Sequence, residues 1–403
     1  MRKIKKVLAL LLILALAFTV LACDGGKTDP KPDDTSGTKA PEKTKAPEET
    51  KAPEEPDNGD DKLMHVGILT TSGVDDGSFG QACYEGILLF VEANTDTKVT
   101  DVKEDDFGRV VQAVAEIIAD YDVMVMPGFQ FAGAGAVAND NPEKHFILVD
   151  SYPKITDDGE EVQLDNVYAM MFKEEESGFF AGIAAALHTK TNKVAVVNGI
   201  AFPSNVNYQY GFMSGVNYSN KHYGTSAEII ELPAYSGTDV TGADVGGNYI
   251  GAFADQATGK VVGEALLAKG VDIMLVAAGD SGNGVFAAVK ESPEGNYVIG
   301  CDVDQYDDGE TGTRNIVLTS ALKNMTPIVA DQLQKIHDGT FEGQNALLGA
   351  TEGGTGYVFE DGRHQLSEDA LAKLAEVFEL VKDGIIVPAS NFNGHTPDNF
   401  PGL

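Results

Sequence analysis

The chain's 403 residues are too many for one ordinary domain and suit two domains with extensions. Hydrophobic residues make up 43% and aromatics 8%, with no Trp, so there is enough apolar material for real cores. The 62 acidic and 29 basic residues leave a net charge of −33. Such a field repels nucleic acid and anionic headgroups and disfavours polyanionic ligands, so nucleic acid is excluded as a partner.

The first residues carry their own chemistry. Arg2, Lys3, Lys5 and Lys6 precede an apolar stretch from Val7 to Val20 that is broken only by Thr19, and Val20-Leu21-Ala22-Cys23 follows. The stretch is short for a membrane span, which needs about 20 residues. The pattern predicts a lipoprotein signal peptide over residues 1–22, with the Cys23 thiol carrying diacylglycerol on the mature N-terminus. Several acyl chains would anchor it stably at the extracytoplasmic face of the cell membrane. Residues 23–62 then read as the lipidated cysteine and a tether. Lys-Ala-Pro-Glu recurs at Lys39, Lys45 and Lys51, and this composition cannot bury enough surface to offset chain entropy.

From residue 63 apolar runs alternate with helical patterns. His65–Leu69 reads as a strand and Phe79–Ala93 as a helix, with Asp76 or Ser78 as its cap. Strands are expected at 98–102, 123–126, 145–149 and 167–172, with helices at 110–120 and 133–138 between them. A second series follows, with helices at 174–187, 204–218, 254–269 and 284–291. Its strands are expected at 193–198, 228–232, 272–277 and 297–300. The tail adds strands at 316–321 and 357–359 and helices at 325–337 and 367–382. Unbroken apolar strands between amphipathic helices predict an α/β fold of two doubly wound parallel-sheet lobes. The tail reads as pieces returning to both lobes, so a hinged clamshell with several crossings is expected, its ligand at the carboxyl ends of the strands.

Apparent catalytic motifs lack their context. Gly279-Asp280-Ser281-Gly282 matches a serine-protease run, but it follows a parallel strand and opens a helix. The acidic run Asp302, Asp304, Asp307 and Asp308 fits no calcium-loop register, because Tyr306 falls where a ligand is needed. Gly259-Lys260 lacks the earlier glycine of a phosphate loop, and the histidines show no paired spacing. Cys83 and Cys301 read as small buried residues. No cofactor, metal or enzymatic activity is expected. By contrast, Thr70, Asp150, Gly282 and Asp302 all follow apolar strands, where an open sheet presents binding groups. Carboxylates there suit hydroxyl donors such as those of a sugar, and Phe79 could stack on a flat ring.

Residues 73–81, Gly-Val-Asp-Asp-Gly-Ser-Phe-Gly-Gln, resemble the signature GVDDKSFNQ of the basic membrane protein family, best understood as purine nucleoside receptor lipoproteins. Glu175-Glu176-Ser177-Gly178-Phe179-Phe180, Gly251-Ala252-Phe253-Ala254-Asp255, Gly300-Cys301-Asp302-Val303-Asp304-Gln305 and Leu318-Thr319-Ser320-Ala321-Leu322-Lys323 are further matches in family order. The resemblance implies a type I periplasmic-binding fold serving an ABC importer, with permease and ATPase as partners and a monomeric receptor. It also implies an N-lobe of 63–172 plus 316–340 and a C-lobe of 173–315 plus 341–403. Carried over, Phe79 and Phe253 would sandwich a base, while Asp150, Gly282, Asp302 and Lys323 would hold ribose hydroxyls or line the pocket. Two positions depart from the pattern: Thr70 stands where purine receptors carry Asp, and Gly80 where they carry Asn, both at the expected base edge. A nucleoside, with purine favoured, is the expected ligand. The alternative is a sensor or surface-interaction lipoprotein with another small ligand.

Overall fold

The computed structural model describes residues 63–156 and 159–403; the signal segment, Cys23 and the tether lie outside the described residues. Apolar residues alternating between two buried faces build the first sheet. Strands β1 (His65–Thr70), β2 (Lys98–Lys103), β3 (Val123–Pro127), β4 (His145–Val149) and β5 (Val167–Phe172) join with helices α1 (Phe79–Ala93), α2 (Val110–Ile117) and α3 (Ala134–Asp140). Val123, Val125 and Ile147 point to one face, while Met124, Met126 and Leu148 point to the other, and each set is a separate buried core. A sheet apolar on both faces must be covered on both, which is why every strand here is parallel and joined by crossovers.

The second half repeats this logic with α4 (Glu174–His188), β6 (Lys193–Asn198), α5 (Pro203–His222), β7 (Glu228–Ile229), and a small antiparallel pair of β8 (Gly237–Thr238) with β9 (Asp244–Gly246). It continues through α6 (Gln256–Ala268), β10 (Ile273–Ala277), α7 (Asp280–Glu291), β11 (Tyr297–Asp302) and β12 (Val317–Lys323). The chain ends with α8 (Met325–His337), β13 (Gln344–Leu348), β14 (Thr355–Tyr357) and α9 (Glu368–Lys382). The sheet orders are β13-β5-β4-β3-β1-β2 and β14-β12-β11-β10-β6-β7. Gly182 and Gly215 let α4 and α5 meet backbone to backbone. A Cβ at Gly182 would lie 2.2 Å from the Phe212 carbonyl oxygen, and one at Gly215 2.1 Å from that of Phe179.

The tail corrects the expected lobe boundaries. Residues 317–323 do not join the first lobe: β12 pairs with β11 and β14 in the second sheet, while residues 344–348 leave the second lobe and pair with β5 in the first. Helix α8 returns to the first lobe, where Met325, Val329 and Leu333 share a core with Ile87 and Phe90 of α1. The chain therefore crosses between sheets three times, after β5, β12 and β13. β13 went unseen in the sequence because it is a short edge strand, Gln344-Asn345-Ala346-Leu347-Leu348, that opens on two polar residues and shows no alternation. β7 ends at Ile229, because beyond it Leu232 donates its N–H to the Asn248 side chain.

The crossings are stitched together. The Lys173 N–H donates to the Leu348 carbonyl and the Asn324 N–H to that of Gly354. Glu176 accepts from the Ala350 N–H at 2.6 Å and the Thr355 hydroxyl at 2.7 Å. Among the described residues no helix is long and apolar enough to cross a membrane.

Candidate functional site

A cavity of about 660 Å3, its open mouth included, lies where the carboxyl ends of both sheets face each other. Its first wall is built by Asp76. Its Oδ1 accepts from the Ser78 and Gln81 N–H groups, each at 3.0 Å, and its Oδ2 from the Gly80 N–H at 2.9 Å and the Ser72 hydroxyl at 2.7 Å. This satisfies the otherwise orphan donors at the start of α1. Asp76, not Ser78, is thus the capping side chain, and Ser78 is left free to reach the other lobe. Its hydroxyl donates to Asp302 Oδ2 at 2.8 Å, and Gln305 Nε2 donates to the Gly77 carbonyl at 2.9 Å.

Asp150 after β4 and Asp302 at the end of β11 hold corresponding places in the two lobes. Both have left-handed backbones, with φ of 63° and 68°, an arrangement that costs free energy away from glycine and concentrates at functional sites. The Lys323 ammonium, 2% exposed, sits 2.5 and 2.6 Å from the two Asp150 oxygens and 3.0 Å from Glu174 Oε1. It also lies 4.9 Å from the Phe79 ring centroid and 5.2 Å from that of Phe172. Burial works to discharge this lysine, but the charges of Asp150, Glu174 and Asp302 outweigh it, and its pKa is raised. Asp302 is pushed up by burial against the opposing pull of Lys323, and it accepts the Tyr208 hydroxyl at 3.0 Å.

Glu174 is the most perturbed carboxyl with a defined partner. Burial raises it from its ordinary 4.5 to about 7, although the Lys323 charge and the Asn207 amide, at 3.0 Å, favour its ionised form. Between those two pH values the folded chain binds more protons at Glu174 than the unfolded chain does. Its contribution to stability is therefore full below 4.5 and is lost as pH rises through about 7. His145 and His188, lowered by burial, act in the opposite sense below their ordinary 6.5. A Glu174→Gln comparison isolates the carboxyl. Urea unfolding from about pH 5 to about pH 8 is expected to shift the stability difference in favour of the variant. A pH-independent difference would contradict the assignment.

The aromatic wall is richer than the sequence suggested. Phe79 and Phe253 both line the cavity, half-buried, as do Phe129 and Phe202. Phe202 is the centre of the cluster. Its ring stands 6.0 Å from Phe253, 5.7 Å from Phe129 and 5.9 Å from Phe107, centroid to centroid, and so joins both lobes.

Thr70, Phe79, Gly80, Asp150, Phe253, Asp302 and Lys323 all border the one cavity. Gly282 does not. It lies inside α7, where an added Cβ would meet Val276 at 2.9 Å, and Gly279 at the helix start takes the lining place instead. Sequence reasoning missed Phe202, Phe129, Tyr208 and Glu174. Phe202 and Phe129 do carry the signal used elsewhere, a residue in a loop after a buried strand.

The apparent motifs have structural employment. The Ser281 hydroxyl accepts from the Asp255 N–H at 2.7 Å and donates to the Ala252 carbonyl at 3.0 Å. Arg363 pairs with Asp304 at 2.5 Å and Asp307 at 2.7 Å. Cys83 and Cys301 are buried free thiols, both pushed well up by burial.

With this geometry in place, comparison with known proteins is decisive at the family level. The model of the family described as ABC transporter substrate-binding protein PnrA-like matches residues 63–231 and 242–391. The chain belongs to this family. Its members bind substrates outside the cytoplasm for ABC transporters and are not enzymes. The chain is 28% identical to the CD4+ T-cell-stimulating antigen of Listeria innocua, over 96% of this chain and 98% of that protein. It is 27% identical to the ABC transporter nucleoside-binding protein BmpA of Lactococcus lactis, over 80% of this chain and 88% of that one. Among solved structures, an ABC transporter solute-binding protein from Aeropyrum pernix K1 matches with a TM-score of 0.69 at 22% identity, over 82% of this chain and 94% of its own. That likeness speaks to the fold, which is the two-lobed periplasmic-binding type.

Proposed function

We propose that this chain is a lipoprotein receptor, anchored through Cys23, that binds an unphosphorylated nucleoside between its lobes and presents it to an ABC permease and its ATPase. The observation that carries this reading is the pairing of two chemistries in one cavity. Phe79 and Phe253 offer flat apolar faces, while Asp150 and Asp302 offer acceptors from both lobes beside them. A base needs the first, tolerantly of its identity, and ribose hydroxyls need the second. The acidic body disfavours phosphorylated forms. The nucleoside-binding name of the Lactococcus lactis relative supports the reading. Purine is favoured because the larger ring gains more from two aromatic faces.

Residues 63–403, unfolded and refolded to strip bound ligand, should bind adenosine, guanosine or inosine in calorimetry more tightly than cytidine, uridine or ribose. Phe79→Ala should weaken binding about tenfold, and Phe253→Ala similarly, the scale of one lost stacking contact at about 1–3 kcal/mol. Absence of heat with all six compounds would overturn the nucleoside reading while leaving the family assignment intact. It would favour the alternative, a sensor or surface lipoprotein with another small ligand.

A further inference from the structure

A second cavity, about 880 Å3 with its mouth included, opens at the crossings themselves. Met171, Phe172 and Leu347 of the first sheet form one side. Val381, Ile386 and Phe392 of the C-terminal segment form the other. Leu347 and Phe392 are 51% and 60% exposed at its rim, an apolar opening on a strongly acidic molecule.

Three successive glutamates begin α4, all at least nine-tenths buried. Glu174 is paired with Lys323 and Asn207, and Glu176 with Ala350, Thr355 and Lys173. Glu175 lines the second cavity and has no hydrogen-bond or ion-pair partner at contact distance on any other described residue; its carboxylate meets its own backbone N–H and feels the Lys173 charge only from beyond pairing distance. Lys173, which also lines this cavity, is held by Glu176 at 3.7 Å. Glu175 is thus mostly buried with its carboxyl open to the cavity alone, whereas its two neighbours show how the protein otherwise satisfies such a group.

We infer that the cavity at the crossings is a second binding site, for a small apolar molecule bearing one ammonium group, with Glu175 as the counter-ion. The apolar walls take the hydrocarbon part, and the carboxylate takes the cation. Burial, together with the charge of Glu174, pushes the Glu175 carboxyl well up, and an arriving cation favours its ionised form. The site is one side chain from the cleft. Asn207 and Phe172 both line it, Asn207 holds Glu174, and the Lys323 ammonium lies over Phe172. Its walls come from both lobes, so occupancy and lobe angle are linked.

The test uses the refolded chain at about pH 8 and calorimetry with 2-phenylethylamine, against 2-phenylethanol and 3-phenylpropionate as neutral and anionic controls. The amine should bind at one site, at least about tenfold more tightly than either control. Glu175→Gln, nearly isosteric, should abolish that preference while unfolding at no lower urea concentration than the parent. Asp302→Asn should retain it. Equal binding of all three compounds, or no binding, would overturn the inference. So would loss of the preference in Asp302→Asn with retention in Glu175→Gln, which would place the amine in the interlobe cleft. None of these readouts depends on a nucleoside occupying the cleft.

Discussion

Lys323→Met is expected to cost about 3–5 kcal/mol of folding stability at pH 8, the range for removing one partner of a buried ion pair. The side chain is of similar length and apolar, so little packing is lost; the effect comes from what remains. Asp150, Glu174 and Asp302 are buried around the ammonium, and none has another cation within pairing distance among the described residues. Glu174, already raised to about 7, takes up a proton first, so the loss should shrink as pH is lowered to about 5. Denaturant unfolding at both pH values measures this. Asp150→Asn added to Lys323→Met should recover part of the loss, since it removes the orphaned charge. A loss below about 1 kcal/mol at pH 8 would mean that the cluster is not what holds the crossings. Because Lys323 ends β12, Glu174 begins α4 and Asp150 follows β4, the ammonium joins two of the crossings to the first lobe's binding edge. One residue thus couples the stability of the hinge to the arrangement of the cleft.

The sequence made the two lobes readable because their evidence is local. Val123-Met124-Val125-Met126 is buried on both faces whichever neighbours it has, and such strands need helices on each side. Asp150 and Asp302 were legible as cleft-lining residues for the same reason: a polar residue ending a buried strand declares its position. What escaped depends on distant partners. Nothing in the alternation of β12 states which sheet it joins, so it was placed in the wrong lobe. Glu174, Glu175 and Glu176 look in sequence like ordinary acidic residues complementing a helix dipole. The crossings at 323–325 and 348–355, together with Asn207 of α5, bury them and turn one into a partner of Lys323. Phe202 gains its importance from Phe107 and Phe129, which the other lobe brings to it. Gly282 failed for a geometric reason, since a residue three positions into a helix already faces the sheet rather than the cleft.

The two departures from the expected purine-receptor pattern meet at one loop, and Gly80→Asn tests whether they are coupled. The Thr70 hydroxyl accepts from the Gly73 N–H at 3.1 Å and draws the loop down over the start of α1. The Gly73 carbonyl oxygen is thereby brought to 2.2 Å from where a Cβ at position 80 would sit, with Asp76 Oδ2 3.0 Å away. Loop backbone occupies the space that an asparagine would need. Restoring that Asn should therefore not restore a base reader. It should cost about 1–3 kcal/mol in stability by overpacking. It should also weaken ligand binding by at least about tenfold, because the displaced loop carries both Phe79 and the Ser78 hydrogen bond to Asp302. Thr70→Val removes the acceptor that holds Gly73, so Thr70→Val with Gly80→Asn should be less damaging than the two single effects added together. Thermal unfolding and calorimetry on the four proteins of this cycle measure the coupling. Wild-type stability with equal or tighter binding in Gly80→Asn alone would show that the loop is free to move away, and that position 80 is open to a side chain after all. Strict additivity would separate the two departures. The expected outcome instead makes Thr70 and Gly80 a single adaptation of the loop, leaving Gln130 and Asn205, which also line the cavity, as the polar groups on offer to the ligand.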